Sequence, residues 1–469
     1  MNAAIATSDP RASAAAASVL RSGGNAIDAA VTAALVLYVV EPQSCGVGGD
    51  GFLMVYNGNA HPSALDGSGA IPIKLTTENL KADGLDDVPP RGARSVTTPG
   101  AIHLLETALQ RFGTITFSQA LGPAIEFARK GFRVRDSLAR ASAGAAKALF
   151  LDPVLGPLYS PKGRGLTLGT IITNQRLADC LETLSNEGAQ ALFNGKIGES
   201  ILRTVQNGGG YLTEFDLANH QTESIEPISI EFCNHTIWQL PQPTQGPAVI
   251  NALDNIASTS PPDWRNIVQS TRDGMASAGF DPSAVVVNTP PPAKGDTTYL
   301  AVVDQNGLVA SLITSIFGDF GSQLGVEEIG GPIHNRATTL RMVKKKPVPG
   351  KPPHTTIPSL ITGPLGFHFA LGVAGGVMQP QAQVQLITRM LVEDFAPQKA
   401  IDAPRFKVCF GGALALEANH ELVEMYPDAL SQPAGPEGFG AAQIVGWYKG
   451  ELHAAADARR GGSAVIVTS

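Results

Sequence analysis

Residues 295–317, GDTTYLAVVDQNGLVASLITSIF, decide the fold. They contain two β-rich runs around Asn306-Gly307, a dipeptide that favours tight hairpins. The run before them, NTPPPAKGD at 288–296, ends a segment from 255 to 296 rich in Pro, Ser and Asn, which reads as a linker. A two-residue turn centred on Asn306-Gly307 places Thr297 opposite Ile316 and Thr298 opposite Ser315. A turn set one residue earlier places Thr297 opposite Thr314. Either register brings a second hydroxyl, from Thr314 or Ser315, beside Thr297. A threonine that starts a strand after a Pro-rich linker, with a hydroxyl across the hairpin, suits an N-terminal nucleophile. Threonine is also a common filler of β positions, and spacing alone leaves both readings open.

Outward from the hairpin, residues 10–40 read as helical, broken at Gly23-Gly24, with Asn25 as a cap for AIDAAVTAALVLYVV. A Gly-rich loop, Cys45–Gly51, then leads into the strand FLMVY and an Asn57-Gly58 turn. Helical patterns follow at 101–111 and 117–130, with Gly131 closing the second, and another runs from about 381 to 393. Strand runs and helix runs are grouped separately, which predicts an α+β chain of stacked sheet and helix layers.

Composition narrows the function classes. The 469 residues are 43% hydrophobic and 16% charged, with 51 Gly and 34 Pro, so a large core and many turns are expected. A net charge of −7 with 6% aromatics argues against nucleic acid as a partner. The four cysteines, Cys45, Cys180, Cys233 and Cys409, form no C-x-x-C pair, which fits a reducing compartment and no zinc site. The nine histidines include no H-E-x-x-H, so neither a metal nor another cofactor is expected. Residues 2–20 lack the pattern of an export signal. The longest apolar run, Ala29–Val40, is shorter than the roughly 20 residues of a spanning helix. A cytoplasmic protein with no membrane partner is the expectation. Gly46–Gly51 matches G-x-G-x-x-G, but a helix enters the loop and a strand leaves it, the reverse of a dinucleotide site. A close-packing loop is the expectation there. Lys344-Lys345-Lys346, flanked by Pro347 and Pro349, reads as a solvated loop. No G-x-S-x-G elbow is present.

The segment around Thr297 resembles the nucleophile region of the γ-glutamyltranspeptidase family of N-terminal-nucleophile (Ntn) hydrolases. The resemblance runs through nearly the whole chain, in the family's order: SDPRAS, VLRSGGNAIDAAVTAAL and EPQSCGVGGDGFLMVY near the start, then TTPGAIHLLETALQRFG (97–113), GGYLTEFDLANH (209–220), GVAGG (372–376) and DAPRF (402–406). It implies a four-layer αββα sandwich made as a precursor that cleaves itself between Asp296 and Thr297. Residues 1–296 and 297–469 would then be two fragments of one interleaved domain, paired as a heterodimer that can assemble further. Cleavage frees the Thr297 α-amine, whose ordinary pKa is about 7.7–8.0. That amine is a base near neutral pH on the same residue as the hydroxyl it activates. By the same resemblance, Ser315 assists the nucleophile. Gly375 and Gly376 present amides to the oxyanion, although a plain turn would also explain them.

Transpeptidases hold a zwitterionic γ-glutamyl group, and three positions here depart from their pattern. Ser68 stands where they carry an Arg, Thr339 where they carry an Asp, and Phe317 where they carry an Asn. The variant pieces are similar to the oxamate amidohydrolase-like subgroup, in Asp66–Pro72, Thr314–Phe317, Asn335-Arg336, PTQG (243–246) and PGKPPHT (349–355). That likeness implies a small carboxylate-bearing amide as substrate. Arg336 would be its bidentate partner, helped by Asn335, His354, Thr355 and Ser68. A structural ion pair is the competing reading for Arg336. A γ-glutamyl enzyme or a cephalosporin-type acylase with the same nucleophile is the alternative activity.

Overall fold

The computed structural model describes residues 2–59, 61–259, 262–280, 295–343, 345–364, 366–433, 435 and 438–468. Residues 281–294, about a third of the expected linker, lie outside the described residues, as does Lys344. Two antiparallel sheets form the centre. One has seven strands in the order Ser463–Val467, Ala3–Thr7, Gly295–Val303, Val309–Gly318, Asp50–Tyr56, Ser63–Asp66 and Glu223–Ile225. The other has six: Glu451–Ala456, Ala441–Tyr448, Gly366–Ala374, Ser359–Gly363, His235–Gln239 and Ile228–Phe232.

Alternation along the Thr297 strand assigns its two faces. Tyr299, Ala301 and Val303 pack between the sheets with Trp238, Leu360, Ala370 and Val445. Leu300 and Val302 face outward onto a core built from the helices Pro10–Arg21, Ala26–Val40, Ala101–Phe112 and Phe117–Lys130. A third core joins Gly246–Ala257, Trp264–Ser277 and Met378–Leu391 to the far face of the second sheet. These are the four αββα layers. Because both faces of the central hairpin are covered, every residue of Val309–Gly318 is buried, and its sequence is nearly all apolar or hydroxylated.

Several local expectations agree with the structure. Asn25 caps Ala26–Val40, accepting from the amides of Ile27 and Asp28, and all fifteen residues of that helix are buried. Each of its leucines contributes roughly 1.5–3 kcal/mol by leaving water. Gly131 ends Phe117–Lys130 at φ +88°. Among the described residues no helix is long and apolar enough to cross a membrane.

Two expectations change. The linker is shorter than 255–296, because Trp264–Ser277 is a helix that buries Ile267, Val268, Thr271 and Met275. The hairpin takes neither of the two registers. Thr298 pairs with Thr314, and beyond a bulge Asp296 pairs with Phe317. The turn is the reason. The Asp304 carboxylate accepts from the amides of Asn306 and Leu308, Asp304 N–H donates to Leu308 O, and Gly307 adopts φ +85°. The loop therefore has three residues, 305–307, and the register falls midway between the two expected.

Both sheets combine strands from before and after position 296, and Ala3–Thr7 lies between Ser463–Val467 and Gly295–Val303. No cut at 296 separates two independent cores.

Candidate active site

Thr297 lies between the paired residues Asp296 and Thr298 of its strand, opposite the bulge at Ser315-Ile316, and both Thr297 and Ser315 are buried. Thr297 Oγ1 donates to Ser315 Oγ at 3.3 Å and accepts from Gln379 Nε2 at 3.4 Å. The Ser315 hydroxyl also accepts the Phe317 amide at 2.8 Å. Phe317 sits at φ +72°, a left-handed backbone that costs an aromatic residue about 1–2 kcal/mol. The bulge thus stores strain where it turns Ser315 toward Thr297. Ser315→Ala leaves the Phe317 amide without its acceptor, and the expected fall in kcat is about 5- to 100-fold.

Gln379 was not visible as a site residue in the sequence. It lies in the first turn of Met378–Leu391, directly after Gly375-Gly376, and its Oε1 accepts the Ile357 amide at 3.1 Å. It therefore ties Thr297 to the Gly-Gly turn. Gly375 at φ +145° and Gly376 at φ +57° occupy backbone regions open to glycine, and their carbonyls accept from Met378 and Gln379 N–H.

The Gly-rich loop has the close-packing role that its reversed order predicts. A Cβ on Gly49 would lie 2.7 Å from Ser315 O, and one on Gly51 2.6 Å from Ile313 O. Glycine there lets Asp50 pair directly with Ser315 across the sheet.

Asp50 is the second residue missed at the sequence level. Its carboxylate takes both prongs of Arg336, from Nε at 2.8 Å and Nη2 at 2.7 Å, and both side chains are fully buried. The Nε/Nη2 edge of the guanidinium is therefore occupied by an ion pair, the competing reading for Arg336. Nη1 alone has no hydrogen-bond partner among the described residues. His334 Nδ1 and His354 Nδ1 stand 3.3 Å and 4.0 Å from Asp50 Oδ2. Burial pushes the Asp50 carboxyl up, but Arg336 first, then His354 and His334, hold it well below the usual carboxylate range. Burial, and then the Arg336 charge, push His354 well below its ordinary value, so its ring is neutral at pH 7. A buried arginine demands a carboxylate, and Asp50 is the one acid of the GGDG loop; that was the available signal.

The other candidates divide. Among the described residues, His354 Nε2 and Thr355 Oγ1 are buried without hydrogen-bond partners. Asn335 is spent on the scaffold: its Oδ1 accepts Gly318 N–H at 3.0 Å and its Nδ2 donates to Pro90 O at 2.8 Å. Ser68 is fully buried beside Asp66, which accepts its amide at 2.7 Å and pairs with Lys351 at 2.8 Å. Thr339 Oγ1 donates to Arg336 O at 2.8 Å, and the Phe317 ring lies 5.0 Å from the Arg336 guanidinium carbon. Among the described residues no three His, Cys, Asp or Glu side chains are grouped to hold a metal.

A cavity of about 530 Å³ is lined by Gln242, Pro243, Phe280, Val343, Lys351 and Pro353 among others, and by none of the candidate residues above. Pro353 precedes His354, and Phe280 and Val343 share an apolar cluster with Val377, which follows the Gly-Gly turn.

Known proteins share this fold. The structure superposes on a cephalosporin acylase from Bacillus halodurans with a TM-score of 0.90 and 29% identity, covering 99% of this chain and 95% of that one. The chain is 28% identical to the oxamate amidohydrolase proenzyme of Klebsiella pneumoniae over 84% of its own length and 83% of the relative's. It is 27% identical to the glutathione hydrolase-like YwrD proenzyme of Bacillus subtilis, over 83% and 81%. The gamma-glutamyltranspeptidase family pattern matches residues 12–272 and 264–467. With that match over nearly its whole length and the αββα sandwich beneath it, the chain belongs to the gamma-glutamyltranspeptidase family of Ntn amide hydrolases.

Proposed function

We propose that this protein is a self-processing amidohydrolase whose nucleophile is Thr297, acting on a small carboxylate-bearing amide of the oxamate type. The observation that carries the reading is the buried triplet of Thr297 Oγ1, Ser315 Oγ and Gln379 Nε2, within 3.4 Å of one another through the threonine. In the precursor, Thr297 Oγ1 attacks the Asp296 carbonyl, and the resulting ester is opened by water. The fragments 1–296 and 297–469 stay together because both sheets need strands from each. The freed α-amine then takes the hydroxyl proton as Thr297 attacks the substrate amide. An acyl-enzyme forms, the amine leaves, and water releases the acid. The Gly375 and Gly376 amides offer donors to the oxyanion. Arg336 Nη1, neutral His354 and Thr355 Oγ1 offer the remaining polar contacts for a carboxylate.

A second reading has a specific observation in its favour. Asp50 offsets the Arg336 charge, so Arg336 is not a free cation for a substrate carboxylate, which suits an acyl group recognised by shape, as in a cephalosporin-type acylase. A γ-glutamyl hydrolase or transferase is less favoured, because Ser68, Phe317 and Thr339 replace the charged and polar head-group contacts.

Intact-mass analysis of the expressed protein should give two fragments meeting at Asp296/Thr297; one uncut, folded chain would overturn the mechanism. Oxamate, glutathione and a glutaryl amide assayed side by side should rank oxamate first. Faster turnover of the glutaryl amide selects the acylase reading, and faster turnover of glutathione overturns the reading of Ser68, Phe317 and Thr339.

A further inference from the structure

We infer that Arg405 is a positioning residue for the Gly375-Gly376 turn, acting through the backbone at 439–442; the inference rests on reading that turn as the oxyanion donor. Arg405 is buried in the second sheet's outer layer, outside the nucleophile's own contacts. Its Nη1 donates to Phe439 O at 3.0 Å and Gly440 O at 3.1 Å. Its Nη2 donates to Ile401 O at 3.1 Å and to Asp457 Oδ2 at 2.7 Å. Asp457 Oδ2 also accepts the Ala442 amide at 3.1 Å, and Asp457 N–H donates to Ala442 O at 2.9 Å. Arg459 closes the network with two bonds to Glu417, at 2.7 Å and 2.6 Å, and an ion pair to Asp457.

The chain gripped in this way is the one that backs the Gly-Gly turn. Ala441 and Ala442 pair with Ala374 and Val373. A Cβ on Gly375 would meet Gly440 Cα at 2.9 Å, so the two glycines touch backbone to backbone. Gly440 itself holds φ +71°. Two consecutive carbonyls, at 439 and 440, point at one guanidinium, which fixes the peptide plane against which Gly375 rests. A planar fork suits that task, because it holds two carbonyls and a carboxylate in a set geometry that a point charge cannot reproduce. Oxyanion donors act through preorganisation, and one such donor is worth about 10²–10³ in kcat, so a small shift of this backing is read directly in the rate.

The test compares Arg405→Lys with Gly375→Ala, using whichever of oxamate, glutathione and the glutaryl amide turns over fastest. Arg405→Lys keeps the charge facing Asp457 and gives up the fork. It is expected to yield processed protein whose kcat is about tenfold lower with KM within about twofold. Gly375→Ala is expected to lower kcat at least as far. A normal kcat for Gly375→Ala sinks the oxyanion reading, and the inference with it. A reduced kcat for Gly375→Ala beside a normal kcat for Arg405→Lys overturns the inference alone and leaves Arg405 as scaffold. Should Arg405→Lys fail to fold, Asp457→Asn replaces it. That variant keeps an acceptor for the Ala442 amide while loosening Arg405, and the same kcat-against-KM split decides the matter.

Discussion

Thr297→Ala is expected to remain a single 469-residue chain and to hydrolyse no amide above background. The alanine has no hydroxyl to attack the Asp296 carbonyl, so the ester never forms and the α-amine at 297 is never released. Nucleophile and base are lost together, because both belong to one residue. Removing a nucleophile of this kind lowers kcat by about 10⁴-fold or more. The fold should survive, since alanine fits a buried strand position and the lost contacts include long hydrogen bonds of 3.3 Å and 3.4 Å. Mass spectrometry, circular dichroism and the amide assay check the three parts of the prediction. Thr297→Ser keeps the hydroxyl and the amine and should still process. An alanine variant that is cut at 296, or that turns over substrate, would remove Thr297 from the mechanism.

Asp50→Ala is expected to destabilise the protein by about 3–5 kcal/mol, the usual consequence of stranding one member of a buried ion pair. Arg336 is fully buried and would lose both of its carboxylate bonds. Replacing both, as Asp50→Leu with Arg336→Met, should destabilise by less than the sum of the single variants, because neither buried charge is then left alone. Denaturant unfolding of the four proteins measures the coupling. Activity should fall in Asp50→Ala as well, since Asp50 pairs with Ser315 across the sheet.

The same cluster contributes to the acid side of the stability profile. Asp50 and His354 both have folded-state pKa values below their unfolded ones. In such cases the unfolded chain binds more protons, so the stabilisation is full above the unfolded pKa and drains away as pH falls. The loss should begin below about pH 6.5, where an unfolded histidine takes up its proton, and steepen below about pH 4, where an unfolded aspartate does. His220, pushed down to about 3 by burial, adds to the first part. An unfolding free energy that rose between pH 7 and pH 5 would contradict this.

Much of the fold was legible because it is written in local patterns. The Asn25 cap, the helices at 101 and 117, the close-packing loop and the hairpin all follow from short-range chemistry. That a hydroxyl from Thr314 or Ser315 lies beside Thr297 was legible, because any hairpin near Asn306-Gly307 brings their strands together; the choice of Ser315 came from the family resemblance. The register was not, since the Asp304 side chain lengthened the turn by one residue and a bulge absorbed the difference. Helix Trp264–Ser277 escaped notice because its Ser, Asn and Gln content resembles a linker while its buried stripe is narrow.

By itself, then, the amino-acid sequence determined the capped helices, the close-packing loop and the central hairpin, because period, caps and turn residues act within a few positions of one another. Tertiary structure alone decided who meets Arg336 and Thr297. Asp50 lies 286 residues from Arg336, and Gln379 lies 82 from Thr297. A buried guanidinium takes whichever carboxylate the sheet brings to it, and no spacing along the chain announces that choice. Here the folded sheet pairs Arg336 with Asp50.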